Sequence, residues 1–109
     1  MSPSASAGAS CTATYQITSQ WSDGFQGDVT VRNTGRAPTN GWTVTWTFAN
    51  GQKVTQYWNA TVTQAGAVVT AKNVAYNGTI ATGGSTSFGF LSSWTGANTV
   101  PAAVTCSAT

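Results

Sequence analysis

Apolar residues and threonine alternate without interruption over residues 42–48. The apolar side of this segment carries Trp42, Val44, Trp46 and Phe48, and threonine occupies each position between them. Strict period-two alternation predicts a β-strand with one buried face and one solvated face. β-branched threonines suit the pleated surface of such a strand. We therefore predict that this segment is the central strand of a β-sheet core and that both tryptophans are buried in it.

A similar but less regular alternation recurs along most of the chain. It covers residues 11–18, 25–33, 53–62, 67–73, 85–91 and 100–106. Turn-forming residues separate these segments, and the Asn50-Gly51 pair is the strongest short signal for a hairpin. No window has sustained helical periodicity, and the helix formers Glu, Lys and Leu are nearly absent. The pattern predicts an all-β fold, either an antiparallel sandwich or a barrel.

Length and composition limit the class of protein. The chain has 109 residues, which is enough for one domain with a buried core. Only 6% of the residues are charged, against an average of about 25% in globular proteins. The formal net charge is +2, and the basic residues are scattered rather than arranged in a stripe that could follow a phosphate backbone. We therefore expect no nucleic acid partner. No apolar run approaches the ~18 residues that would span a membrane.

The two ends of the chain suggest a module excised from a secreted protein. Residues 1–10 are rich in Ser, Ala and Pro and lack the basic and apolar segments of a signal peptide. We interpret them as the remnant of a linker or as residues added in cloning, and residues 11–109 as the folded domain. Cys11 and Cys106 flank this domain. Two buried free thiols would fit, but the extracellular type of composition favours a disulfide that joins the ends.

Groups needed for catalysis are scarce. Histidine is absent, which excludes Ser-His-Asp and Cys-His sites and any imidazole metal ligand. The only carboxylic side chains are Asp23 and Asp28, about 16 Å apart on opposite faces if the chain between them is extended. A glycosidase needs two carboxyl groups within about 5–9.5 Å, and only a turn at Gly24 would shorten the distance. We predict a binding protein with no catalytic residue, cofactor or metal ion, and keep a small hydrolase as an alternative.

Three aromatic residues have polar neighbours, unlike the two tryptophans of the alternating strand. Trp21 lies in the polar, turn-rich segment 19–24, and Trp58 and Tyr76 are likewise flanked by Asn, Gln or Gly. Each one alone is explained as well by a ring folded over the edge of the core. Three together, in a chain with so few charges, indicate an exposed aromatic platform.

Two classes of partner fit such a platform. The C–H face of a pyranose ring is apolar and stacks on an aromatic ring, while its hydroxyls require hydrogen bonds from polar groups at the rim. Gln56 is two residues from Trp58 and would share its face in a regular strand, so its amide could supply one of these bonds. Exposed Trp and Tyr are also typical of protein–protein interfaces. These residues alone therefore leave a sugar polymer and a protein partner open.

Several segments resemble carbohydrate-binding module family 2, the bacterial cellulose-binding domains of secreted cellulases and xylanases. The similarity runs from Cys11 to Cys106 in family order and spacing. Its segments include Gln20-Trp21-Ser22-Asp23-Gly24-Phe25, Gly41-Trp42-Thr43-Val44-Thr45-Trp46-Thr47-Phe48, Val54-Thr55-Gln56-Tyr57-Trp58-Asn59 and Phe88-Gly89-Phe90. The resemblance implies an antiparallel β-sandwich of about nine strands, immunoglobulin-like or jelly-roll-like. It also implies a non-catalytic module that adsorbs to crystalline cellulose and holds an attached enzyme at its insoluble substrate.

By position, the resemblance implies a flat binding face formed by three aromatic residues. These correspond to Trp21, Trp58 and Tyr76, although the family usually has tryptophan at the third position. The polar contacts on the same face would be made by Asp28, Gln56 and Ser87.

The resemblance also suggests which polysaccharide is bound. Gly24, three residues after the first exposed tryptophan, and the retained Tyr76 are typical of the cellulose binders. The xylan binders tend to have arginine at that position and to lack the third aromatic. We expect Trp94 to pack within its own loop rather than to form a fourth contact.

The sequence thus predicts a secreted, monomeric module that binds cellulose and is joined to a catalytic domain through an N-terminal Ser/Pro/Ala linker. An adhesion or protein-interaction sandwich is an alternative. Binding to chitin or xylan in place of cellulose is another.

Overall fold

The regular structure of the chain is entirely β. A computed structural model describes residues 10–94, 96, 98, 100–101 and 104–109. It contains the strands β1 Cys11–Trp21, β2 Gly24–Asn33, β3 Trp42–Thr47, β4 Lys53–Trp58, β5 Ala60–Ala65, β6 Val68–Asn73, β7 Ser85–Ser93 and β8 Val104–Ala108. In these parts of the chain no helix is long and apolar enough to cross a membrane.

The strands form two four-stranded antiparallel sheets. The first sheet has the order β1-β2-β7-β4, and the second has the order β5-β6-β3-β8. The predicted antiparallel sandwich is confirmed, with eight strands in the described residues where about nine were expected. β3 pairs with β6 on one side and with β8 on the other, so the alternating segment is an internal strand of its sheet, as predicted.

Aromatic side chains from both sheets meet in the core. Trp42 and Trp46 of β3 are 2% and 1% exposed, which confirms that both are buried. Trp42 stacks on Phe88 with ring centroids 5.6 Å apart, and Trp46 lies 5.4 Å from Phe90. Tyr15 joins this cluster from β1, and its burial raises the pKa of its hydroxyl well above the ordinary value. Ring contacts of this kind add to the free energy gained from burying apolar area.

A disulfide joins the two sheets at the ends of the domain. Cys11 in β1 is bonded to Cys106 in β8, 95 residues away. The predicted bridge is therefore confirmed, and two free thiols are excluded. By loop-closure entropy, a link across nearly the whole chain stabilises the fold by about 4–5 kcal/mol.

Two local predictions about chain connections were wrong. The Asn50-Gly51 pair does not form a hairpin, because β3 lies in the second sheet and β4 in the first. Gly51 has a φ of 72°, so the turn exists but directs the chain from one sheet to the other. Segment 53–62 is also not one strand. It is divided at Asn59, where a φ of 64° ends β4 and sends the chain into β5 of the opposite sheet.

The boundaries of the first and last strands also differ from the predictions. β1 continues past residue 18 to Trp21, so the segment predicted to be a turn at 19–21 is strand. β8 begins at Val104, while the prediction placed the last strand at 100–106, a range whose residues 102 and 103 lie outside the described part of the chain. β1 is long because its final residues pair with β2 after an irregularity in register.

Candidate functional site

The outer face of the first sheet, which points away from the second sheet, holds all of the predicted binding residues except Tyr76. On β2 the buried Val29 and Val31 point inward, and alternation therefore directs Asp28 outward. Asp28 is paired with Gly89 of β7, whose neighbours Phe88 and Phe90 are buried. This strand pair forms the middle of the sheet, with β1 and β4 at its edges.

A β-bulge in β1 directs Trp21 to this outer face. Ile17 pairs with Gly27 and Ser19 pairs with Gln26, so Thr18 is an extra residue in β1. In an unbroken strand, residues 17 and 21 would share the inner face, because they are four positions apart. The inserted residue reverses the alternation, and Trp21 is 43% exposed opposite Gly24.

A second bulge has the same effect on Trp58 in β4. Val54 pairs with Ser92 and Gln56 with Leu91, which leaves Thr55 unpaired between them. Val54 packs against the core, whereas Trp58, four residues later, lies opposite Gly89 and is 38% exposed. Gln56 and Trp58 follow the bulge together, so they share the outer face. Both exposed tryptophans are thus the last residues of strands. This corrects the turn-rich setting predicted for Trp21 and agrees with the strand predicted around Trp58.

Each of these two indole rings lies against a glycine of the adjacent strand. A Cβ atom placed on Gly24 would be 2.5 Å from Nε1 of Trp21, and one placed on Gly89 would be 2.3 Å from Cζ2 of Trp58. Any larger residue at either position would have to displace the ring. The glycines therefore let both rings pack closely against the sheet while they stay partly exposed to solvent.

Tyr76 is the most exposed of the three aromatic residues, at 75%. It lies in the turn between β6 and β7, as predicted, and not on a strand of the first sheet. Its hydroxyl donates a hydrogen bond of 2.7 Å to Oδ1 of Asn59, the residue directly after Trp58. This bond links the turn of Tyr76 to the residue that follows Trp58.

The chain is similar to known proteins over most of its length. A family model described as "Cellulose binding domain" covers residues 11–109. The chain belongs to this family. It is carbohydrate-binding module family 2, so the resemblance inferred from the sequence is confirmed. The domain is a non-catalytic binding module with aromatic residues on its surface.

Three relatives illustrate the similarity. Endoglucanase A of Thermobispora bispora is 53% identical over 102 residues, which are 94% of this chain and 22% of that enzyme. The chitin-binding domain of Chi18aC from Streptomyces coelicolor is 49% identical, with a TM-score of 0.72 and coverage of 89% of this chain and 90% of that one. The cellulose-binding family 2 domain of ScLPMO10C is 38% identical, with a TM-score of 0.73 and coverage of 95% and 100%. The chain thus spans about a fifth of the length of the endoglucanase and nearly all of each isolated binding domain.

Within this family 2 module, three predicted polar residues lie on the outer face near the rings. Asp28 is half-buried, and the strand pairing aligns it with Gly89 and so with Trp58. Gln56 is exposed two residue pairs along β4 from Trp58, opposite Leu91. Ser87 is exposed on β7, opposite Thr30.

Trp94 supports the turn that follows Trp21. Its side chain is half-buried and packs against the core cluster. Its Nε1 donates hydrogen bonds to the carbonyl oxygens of Trp21 at 2.9 Å and of Gly24 at 3.1 Å. These bonds hold the tight β1–β2 turn. Loop packing therefore accounts for the side chain of Trp94.

The carboxyl groups of the module do not form a glycosidase pair. β2 is extended from Gly24 onward, so no turn at that residue brings Asp23 toward Asp28. Across the described ranges, with gaps at 95, 97, 99 and 102–103 as well as 1–9, no cluster of His, Cys, Asp or Glu could hold a metal ion.

Two residues near the rings were not identified as functional from the sequence. Gly89 packs against the ring of Trp58. Its position between two phenylalanines of a predicted strand could have indicated a close contact at this glycine. Asn59 accepts the hydrogen bond from Tyr76. The local sequence around Asn59 could not indicate this role, because the contact joins residues 17 positions apart.

Proposed function

We propose that this module adsorbs to crystalline cellulose through Trp21, Trp58 and Tyr76. The observation that supports this best is that two exposed indoles pack directly against glycines on one open sheet face. Rings held in this way present their faces to a planar array of pyranose rings.

Polar groups near the rings would complete the site. The carboxylate of Asp28, the amide of Gln56 and the hydroxyl of Ser87 offer hydrogen bonds to sugar hydroxyls on the same face. Stacking on a ring does not by itself fix how a sugar is rotated within the plane of the surface. Hydrogen bonds to its hydroxyls fix that rotation. We assign these three side chains to the rim of the aromatic row.

The module would concentrate an attached catalytic domain at its insoluble substrate. Tethering raises the effective concentration of the second domain at the surface without any new contact. The family's relatives include endoglucanases, and we propose a secreted polysaccharide-degrading enzyme as the parent protein. Residues 1–10 would belong to the linker to this enzyme, and the module itself would be a monomer.

Cellulose is preferred to xylan and chitin in this proposal. Gly24 allows Trp21 to pack closely against the sheet, whereas an arginine in its place would displace the ring. Chitin remains the second candidate, because one relative that is 49% identical is a chitin-binding domain. The platform itself would stack on either polymer, since both present pyranose faces.

A depletion experiment with several polysaccharides tests the proposed function. The module is mixed with microcrystalline cellulose, chitin or insoluble xylan, and the protein that remains in the supernatant is measured. We expect the strongest depletion by cellulose, with little change between low and high salt, because few charges are available to contribute. Stronger depletion by chitin would reassign the ligand. No depletion by any of the three would reject the proposal and favour a protein partner.

Gly89→Ala is expected to weaken adsorption without unfolding the module. The added methyl group would overlap the ring of Trp58 and force it away from the sheet. We expect a loss of about 1 kcal/mol, or roughly a fivefold weaker Kd on cellulose, because the displaced ring no longer packs against the sheet. An adsorption isotherm and a thermal unfolding curve measure the two effects.

Gly27→Ala is a matched control for this substitution. A Cβ atom on Gly27 would be 2.3 Å from the ring of Phe90, which belongs to the core. We therefore expect Gly27→Ala to lower the midpoint of thermal unfolding, while the folded fraction still binds. Equal affinities for Gly89→Ala and the wild type would mean that the close packing of Trp58 against the sheet is not required.

A further inference from the structure

Asn59 occupies a special position next to the second exposed tryptophan. It has a φ of 64°, and all other residues with positive φ in the described segments are glycines. It also lies where the chain leaves the first sheet after Trp58 and enters the second sheet at Ala60. Asparagine and glycine tolerate this backbone conformation better than most residues, so the backbone alone would accept either.

The side chain of Asn59 has a partner that glycine could not bind. Its Oδ1 accepts the hydrogen bond from the hydroxyl of Tyr76 at 2.7 Å. Its backbone carbonyl accepts a second hydrogen bond, from Nδ2 of Asn77. The two bonds attach the exposed turn of Tyr76 to the end of β4.

The same turn is anchored to the core from its other side. The carbonyl oxygen of Asn77 accepts a hydrogen bond of 2.8 Å from Nε1 of the buried Trp42. Oδ1 of Asn77 accepts another from the backbone N–H of Val74. The backbone of the turn is thus fixed by Asn77, while the side chain of Tyr76 extends into solvent and is held at its hydroxyl.

We propose that Asn59 is a positioning residue that holds the Tyr76 ring in its binding orientation beside Trp58. The inference rests on the proposed function of the aromatic row. An exposed tyrosine with a free hydroxyl would sample several rotamers, and binding would have to immobilise it. The hydrogen bond to Asn59 orders the ring before the ligand arrives. A phenylalanine could not form this bond, which gives the tyrosine hydroxyl a role at a position where the family usually has tryptophan.

Four variants test this proposal through a double-mutant cycle on cellulose adsorption. Asn59→Gly keeps the backbone conformation and removes the acceptor, and Tyr76→Phe keeps the ring and removes the donor. We expect each to weaken the Kd by about two- to tenfold. The double variant should bind no more weakly than either single variant, because both lose the same hydrogen bond. Asn59→Asp retains an oxygen acceptor and a side chain that tolerates positive φ, and it should bind like the wild type.

NMR provides a readout that does not depend on cellulose. In the wild type we expect nuclear Overhauser contacts between the ring of Tyr76 and Asn59 and a single side-chain rotamer for Tyr76. Asn59→Gly should leave several rotamers in exchange, and Asn59→Asp should restore one. An unchanged Tyr76 rotamer in Asn59→Gly, or losses of affinity that multiply in the double variant, would overturn the proposal. If wild type fails to adsorb, the proposed function fails, and the NMR comparison still decides whether Asn59 orders Tyr76.

Discussion

Trp58→Ala is expected to abolish most adsorption to microcrystalline cellulose while the module stays folded. Trp58 is 38% exposed, lies on Gly89 and is not part of the buried core cluster, so its removal leaves no internal cavity. Truncation of a central aromatic contact typically costs 2 kcal/mol or more, which corresponds to a roughly 30-fold weaker Kd. Depletion isotherms measure the affinity, and a thermal unfolding curve confirms that the domain is folded.

The neighbouring Tyr57 offers a matched control on the same strand. It is 48% exposed, slightly more than Trp58, but it pairs with Phe90 and so belongs to the opposite side of β4. Tyr57→Ala should therefore retain nearly full adsorption. If the two alanine variants lose affinity equally, adsorption would depend on exposed aromatic residues in general and not on the outer face of the sheet. Unchanged depletion by Trp58→Ala would remove the central residue from the proposed platform.

The sequence was sufficient to predict the fold wherever the strands are regular. The pairing of β2 with β7 contains no bulge. The same holds for the pairing of β3 with β6 and with β8. In these strands the period-two alternation of the sequence correctly separates the core side chains from the outward ones. Val29, Trp46 and Phe88 are examples of the core side chains. The core was thus predictable because every second side chain of a regular strand is buried and therefore apolar.

The same alternation pattern could not predict which face of the sheet the two exposed tryptophans occupy. An extra residue at Thr18 or Thr55 reverses the faces that follow it, and a bulge depends on pairing with a strand distant in sequence. The polar neighbours of Trp21 and Trp58 identified both residues as unusual, but the turn-rich setting predicted for Trp21 was wrong. What exposes these rings is the register of the sheet.

Contacts between distant segments were likewise not predictable from local patterns. The Asn50-Gly51 pair has the composition of a hairpin turn, but the turn connects two sheets because β3 pairs with β6 and β8 instead of β4. The bond between Asn59 and Tyr76 depends on where β4 ends relative to the turn after β6. Both features are set by the packing of the sandwich, which a single strand does not encode.

Trp42→Ala is expected to remove a large share of the free energy of unfolding of the domain. The side chain is 2% exposed and stacks on Phe88, so truncation leaves a large cavity that costs about 3–5 kcal/mol. The carbonyl oxygen of Asn77 also loses its bond from Nε1 of Trp42, which adds about 1–3 kcal/mol if that group stays buried. Because a domain of this size is typically stable by about 5–15 kcal/mol, unfolding should occur at much lower urea concentration.

Thr45→Ala is the control that separates this effect from a general weakness of β3. Thr45 lies on the outward face of the same strand, so its loss should cost about 1 kcal/mol or less. A urea midpoint for Trp42→Ala near that of Thr45→Ala would mean that the core does not depend on the Trp42–Phe88 stack. Below its midpoint, Trp42→Ala should also bind cellulose more weakly than Thr45→Ala, because Trp42 anchors the turn that carries Tyr76 through Asn77. The buried tryptophan thus packs in the core and also holds, through Asn77, the turn that carries a residue of the proposed binding face.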